Sequence, residues 1–150
     1  MGRINEILTL AHTRAVEQQL PYAGAFTPAD AFELTQLSAD AKIIDVRTRA
    51  ERDWVGRIPG AIEIEWLGYP DMQPNPHFLS ELQHALTTDS MLLFICRSGA
   101  RSSAAAKAAS AAGFAACYNI LEGFEGDKDA DAHRNQINGW RFADLPWYQS

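Results

Sequence analysis

The chain predicts an α/β domain built on a central, mainly parallel five-stranded sheet flanked by helices. Two observations carry that expectation. Short apolar runs such as Lys42-Ile43-Ile44-Asp45-Val46 and Met91-Leu92-Leu93-Phe94-Ile95 alternate with segments of helical period. The second run passes directly into Cys96-Arg97-Ser98-Gly99-Ala100-Arg101 and then into an Ala-rich stretch, an order of strand, tight loop and helix. With 150 residues, 47% of them hydrophobic, the chain can bury a real core without metals or disulfides.

Each element follows from local pattern. Residues 3–20 carry Ile4, Ile7, Leu8, Ala11, Ala15, Val16 and Leu20 at helical spacing, and Pro21 ends that segment. Gly24 to Phe26 suits a minor edge strand. Thr27 and Pro28 read as an N-cap with proline at the first helical position, so a helix runs to about Ser38 with Ala31, Leu34 and Leu37 inward. Lys42 to Val46 is a central strand with Asp45 near its exit. Glu51 to Val55 is a short helical turn, Ile58-Pro59-Gly60 a tight turn, and Ala61 to Ile64 another strand. Three prolines make Gly68 to His77 a loop, before a helix over Phe78 to Leu86 and the buried strand Met91 to Ile95. Ser102 to Ala112 is a helix closed by Gly113, and Ala116 to Leu121 is the last strand. After the turn Glu122 to Gly126, the polar and then aromatic stretch Asp127 to Ser150 folds back over the body. The expected layout is an N-terminal helical extension (1–22), a body (23–126) and a C-terminal segment (127–150).

Composition narrows the function. Thirteen Lys and Arg against 19 Asp and Glu give a net charge of -6, which argues against nucleic acid or an anionic membrane as partner. A local arginine cluster can still oppose the global sign for a small anion. No run approaches a membrane span or a signal-peptide core, and two cysteines are too few for a secreted disulfide scaffold. The expectation is a cytoplasmic protein, monomer or homodimer, with the N-terminal helix either covering the sheet or mediating a dimer. His12, His77, His84 and His133 are scattered without metal-ligand spacing, so no metal is expected.

The chemistry concentrates at residues 96–101. Ligands of open α/β sheets bind off the C-terminal strand ends, where Cys96 stands. Gly99, Ser98 and Ala100 permit a bend in which successive N–H groups converge on an anion. Arg97 and Arg101 add positive charge, and Ser102 is placed to cap the helix. All of this favours a thiolate, a nucleophile for electrophilic sulfur, phosphorus or arsenic. Cys117 reads as a core residue, and a resolving-thiol role would need it close to Cys96. Trp66 and the aromatics Trp140, Phe142 and Trp147 either wall the cleft or dock the C-terminal segment. The acidic cluster from Glu122 to Asp131 reads as a solvated face.

The run Cys-Arg-Ser-Gly-x-Arg-Ser after a strand resembles the single-domain rhodanese-like sulfurtransferases. So do Asp45-Val46-Arg47, Glu51, Gly56-Arg57-Ile58-Pro59-Gly60-Ala61 and Asn119-Ile120-Leu121-Glu122-Gly123-Phe124, in the family's order. The resemblance implies a rhodanese-like catalytic domain over 23–126 that needs no cofactor. Cys96 would carry sulfane sulfur as a persulfide, cradled by Arg97, Ser98, Gly99, Ala100 and Arg101. A small anionic donor such as thiosulfate would supply it, and a thiol, cyanide or protein acceptor would remove it. Arg97 and Arg101 would orient the donor, or Arg101 would brace the loop. Asp45 and Arg52 resemble the family's buried acid and its arginine partner, in a bracing role with Ser102. Arg57 stands where many members carry histidine. One alternative is a protein persulfide relay or a non-catalytic binding module. A weaker one is a phosphatase or arsenate reductase, which needs five residues between cysteine and arginine where this chain has four.

Overall fold

The computed structural model describes residues 2–150, and the chain alternates helices and strands as its patterning predicts. The order is α1 (Gly2–Gln18), β1 (Gly24–Phe26), α2 (Pro28–Leu37), β2 (Ala41–Asp45), α3 (Arg49–Val55) and β3 (Ile62–Glu63). Then come β4 (Leu67–Gly68), β5 (Gln73–Pro74), α4 (Phe78–Ala85), β6 (Met91–Ile95), α5 (Ala100–Ala111) and β7 (Ala116–Ile120). Five strands form one sheet in the order β1-β7-β6-β2-β3, and all four pairings are parallel. The fold class is therefore the expected one.

Two buried clusters sandwich this sheet, as its continuous apolar strands require. On one face, Ile7 and Ala11 of α1 and Leu34 of α2 pack with Phe26, Ile43, Leu93, Tyr118 and Trp140. On the other, Ala105, Ala106 and Ala109 of α5 and Leu82 of α4 meet Ile44, Leu92, Phe94 and Cys117. Alanine lets α5 lie close against β6 and β7, which explains why so weakly amphipathic a helix is stable here. Thr27 caps α2 by accepting from the Asp30 amide, as its sequence predicts.

Several expectations are corrected. Val16 is 80% exposed and Leu37 lies half outside, because α1 and α2 each bury a narrower stripe than their apolar spacing suggests. The proline-rich stretch after Trp66 is not plain loop: β4 and β5 pair antiparallel around the cis Tyr69–Pro70 bond. Ser102 does not cap α5. The helix begins two residues earlier, with Gly99 at the N-cap in the left-handed region (φ 114°), a conformation that costs glycine little.

The C-terminal segment returns to the body without a helix of its own. Trp140 is fully buried and its indole N–H donates to the Pro146 carbonyl, while Tyr148 and Arg57 form a two-way backbone bridge. Phe142 is exposed instead of folding inward, so the aromatics of this segment split between docking and solvent. Among the described residues no helix is long and apolar enough to cross a membrane.

Candidate functional site

The sheet sets the location of the site. From β2 the chain continues to β3 on one side, and from β6 to β7 on the other, so the order reverses between β2 and β6. At such a switch point the connections diverge and leave a crevice beyond the C-terminal strand ends. Asp45 and Ile95 are register partners there, and Cys96 follows immediately.

Cys96 is 1% exposed, at the edge of the apolar cluster formed with α5. Its Sγ accepts from the Gly99 amide at 3.1 Å, and among the described residues that is the one backbone N–H on the sulfur. The wider ring of amides expected around it is thus represented by a single donor. The Ser102 hydroxyl lies 3.3 Å from Sγ, 3.2 Å from the Gly99 carbonyl and 2.5 Å from Asn119 Oδ1. A hydroxyl has one proton for these three neighbours. Directed at Asn119, it leaves Ser102 to accept from an S–H group; directed at the sulfur, it favours the thiolate. Asn119 also donates to the Gly99 carbonyl at 3.3 Å, tying β7 to the loop.

Arg101 turns towards α3. Its guanidinium donates to both oxygens of Glu51, at 2.7 and 2.9 Å, the geometry that a bracing role requires. Burial pushes the Glu51 carboxyl up, but the Arg101 contact and the Thr48 hydrogen bonds outweigh it and bring it down to about 2. Glu51 also closes a capping box with Thr48, so one carboxylate fixes the start of α3 and the arginine of the cysteine loop. Arg97 is exposed.

The expected pairing of Asp45 with Arg52 is corrected. Asp45 is held by Arg47, with Nε at 3.0 Å and Nη2 at 2.7 Å, both side chains being fully buried. Arg47 also donates to the Gly56 carbonyl and lies 4.1 Å from the Phe124 ring centroid. Arg52 instead donates to the Arg47 carbonyl at 2.5 Å and faces Glu63 at 3.6 Å. Two residues after Asp45, Arg47 reaches back to it across the strand exit, whereas Arg52 lies a helical turn beyond the α3 cap. Arg57 is neutralised by Asp53 and Glu63.

The turn after β7 supports the loop from behind. Phe124 N–H donates to the Cys96 carbonyl at 2.8 Å and Glu125 N–H to the Arg97 carbonyl at 3.0 Å. Gly123 (φ 70°) comes so close that a Cβ there would lie 2.4 Å from the Arg97 carbonyl carbon. Sequence reasoning assigned no site role to Arg47, Glu51, Asn119 or Gly123. A polar Asn119 inside an otherwise apolar strand was the available signal for one of them.

Beside the loop opens a cleft of about 540 Å3. Thr48, Glu51 and Val55 of α3 form one wall and Tyr69, Pro70 and Met72 of the β4–β5 turn another. Arg97 and Arg101 line it from the loop, Glu125 and Arg134 from the C-terminal side, and Cys96 does not line it. A second hollow, of about 500 Å3, lies near Ala41 and Lys42 at the opposite end of β2.

Cys117 is the contrasting thiol. It is fully buried, its S–H points to the Phe114 carbonyl at 3.4 Å, and burial pushes it up to about 12. Its register partner is Leu92, four residues before Cys96, or ~13 Å along the strand. That separation is too long for a disulfide.

Comparison with known proteins agrees with this architecture. The family described as rhodanese-like domain matches residues 30–130. An uncharacterized protein of Rickettsia conorii is 36% identical over 123 residues, covering 78% of this chain and 90% of that protein. The crystal structure of Rv0390 from M. tuberculosis is 39% identical with a TM-score of 0.79, covering 86% of this chain and 99% of that one. A Rhodopseudomonas palustris protein described as a possible tyrosine phosphatase is 26% identical, with a TM-score of 0.58 over 97% of this chain and 93% of that one.

Proposed function

The chain belongs to the rhodanese-like domain family, and from that premise we propose that it is a sulfur relay: Cys96 takes a sulfane sulfur as a persulfide and hands it to a thiol of a partner protein. The Cys96 thiolate attacks the outer sulfur of a donor persulfide, R–S–S−. The donor S–S bond breaks, a new S–S bond forms on Cys96, and R–S− leaves. An acceptor thiolate then attacks that outer sulfur and releases Cys96 as thiolate. Each step is an exchange at sulfur, so no external oxidant or reductant enters. Thiosulfate would load the same residue with release of sulfite.

The observation that carries this reading is the depth of Cys96. Its sulfur is held by Gly99 and faces Ser102, behind a cleft lined by loop arginines and not by the cysteine itself. A thiol set back in this way favours a partner that reshapes the loop on docking over a freely diffusing anion. Glu51 and Arg101 hold the loop in register, and the Gly99 N–H stabilises negative charge on sulfur. Phosphoryl chemistry fits less well. Four residues separate Cys96 from Arg101, the longer spacing would fall on Ser102, and Arg101 is engaged by Glu51.

The test follows sulfur by intact mass, using either thiosulfate or a persulfidated carrier protein as donor. The expected result is a gain of one sulfur, removable by cyanide, with loading about tenfold or more faster from the protein donor. Loading and cyanide turnover as fast with thiosulfate would make the chain a small-molecule sulfurtransferase. No gain with any donor would leave a binding module.

A further inference from the structure

The cleft mouth gathers arginines that no carboxylate neutralises. Among the described residues, Arg3, Arg47, Arg49, Arg52, Arg57 and Arg101 all have carboxylate partners. Arg14, Arg97, Arg134 and Arg141 have none; Arg14 donates to the Ala25 carbonyl and Arg141 lies over the Phe124 and Trp147 rings, while Arg97 and Arg134 line the cleft. Arg134 is brought there by the C-terminal segment, where its Nη1 donates to the Gly126 carbonyl at 2.7 Å and fixes the guanidinium in place. The one unpaired acid of the cleft is Glu125. A chain of net charge -6 therefore presents a locally positive mouth, opposite an apolar lip of Tyr69, Pro70 and Met72. Tyr69 is 68% exposed and Met72 38%, a solvent-facing apolar edge of the kind that protein partners cover.

We propose that this mouth docks an acidic, cysteine-bearing segment of a partner protein. Carboxylates flanking the partner's thiol meet Arg97 and Arg134, while an apolar residue rests on the Tyr69–Met72 lip. Charge complementarity selects this occupant: two guanidinium groups without a carboxylate partner, that of Arg134 held by the Gly126 carbonyl, match two carboxylates on either side of a thiol. At about 540 Å3 the cleft admits several side chains, far more than a sulfur anion needs. The claim rests on the relay reading above and names the chemistry of its partner. The partner thiolate attacks the outer sulfur of the Cys96 persulfide and releases Cys96 as thiolate.

The experiment uses the full chain loaded with thiosulfate and three short cysteine peptides. Their thiol is flanked by aspartate and glutamate, by serine and glutamine, or by lysine. The acidic peptide is expected to remove sulfur about tenfold faster than the lysine peptide, an advantage that shrinks as salt rises. Arg134→Gln and Arg97→Gln should each narrow that ratio and Arg134→Lys should restore it. Equal rates for the three peptides, or a ratio indifferent to both Gln variants, would overturn the proposal. So would glutathione accepting as fast as the acidic peptide, which would assign the cleft to a small thiol.

A binding arm separates this claim from its premise. Peptides with serine in place of cysteine are titrated against the unloaded chain by fluorescence anisotropy. Tighter binding of the acidic peptide supports the docking surface even if Cys96 accepts no sulfur, a result that would sink the relay alone. Equal binding of acidic and lysine peptides overturns the docking surface whatever Cys96 does.

Discussion

Cys96 and Cys117 stand in and beside neighbouring parallel strands, both out of contact with solvent, yet the two ends of the sheet place them in opposite chemistry. Cys117 lies near the start of β7 with a carbonyl as its polar neighbour, and desolvation alone acts on its thiol. Cys96 lies just past the end of β6, where the backbone turns and an amide, a hydroxyl and a braced arginine loop gather. Burial is common to both, so burial does not decide reactivity. What differs is the polar company: the Cys96 sulfur accepts from the Gly99 amide, whereas Cys117 meets only the Phe114 carbonyl.

The contrast depends on the strand ends staying in place, and the largest expected effect comes from removing their buried charge. Asp45→Asn leaves Arg47 ionised without a counterion beneath the loop and should cost about 3–5 kcal/mol in denaturant unfolding. A cost near zero would show that the Phe124 ring and the Gly56 carbonyl suffice for Arg47. Gly123→Ala drives a methyl into the Arg97 carbonyl and displaces the loop, so sulfur loading should fall roughly tenfold to a hundredfold. Unchanged loading kinetics would mean that the turn after β7 does not position Cys96.

Cys117→Ala probes the other half of the comparison. It removes a packed sulfur at a cost of about 1 kcal/mol in stability and leaves sulfur loading as it was. Lost loading would make Cys117 part of the chemistry. Another effect concerns acid stability. The Glu51 carboxyl, lowered from 4.5 to about 2, contributes stability that is full above pH 4.5 and is lost as pH falls towards 2. Melting temperature should decline across that window in the native chain, and Glu51→Gln should make the decline shallower. An identical acid limb in both would show that the Glu51–Arg101 pair contributes nothing to folding.

Those four positions also mark how far the sequence could be read. Strands β2, β6 and β7 were legible because both faces are largely buried and apolar residues dominate them, Lys42, Asp45 and Asn119 aside. The cysteine loop was legible because Gly99 and the flanking arginines are unusual together. Side-chain partners across the fold were less so. Arg47 and Arg52 follow Asp45 at two and seven residues, and only the path of the strand exit decides which reaches the carboxylate. The β4–β5 hairpin hid behind its prolines, since two-residue strands carry no alternating pattern. Arg134 came to the cleft through a long segment without periodicity, which spacing alone cannot fold.

The claim that Cys96, and not its neighbour in β7, carries the sulfur is open to direct measurement. The native chain is exposed to a persulfide donor, alkylated to trap S–S adducts, cleaved and mapped by mass. The account predicts the extra sulfur on the peptide holding Cys96 and an unmodified Cys117. Sulfur on Cys117, or a bare Cys96 after exposure to both small and protein donors, would contradict it.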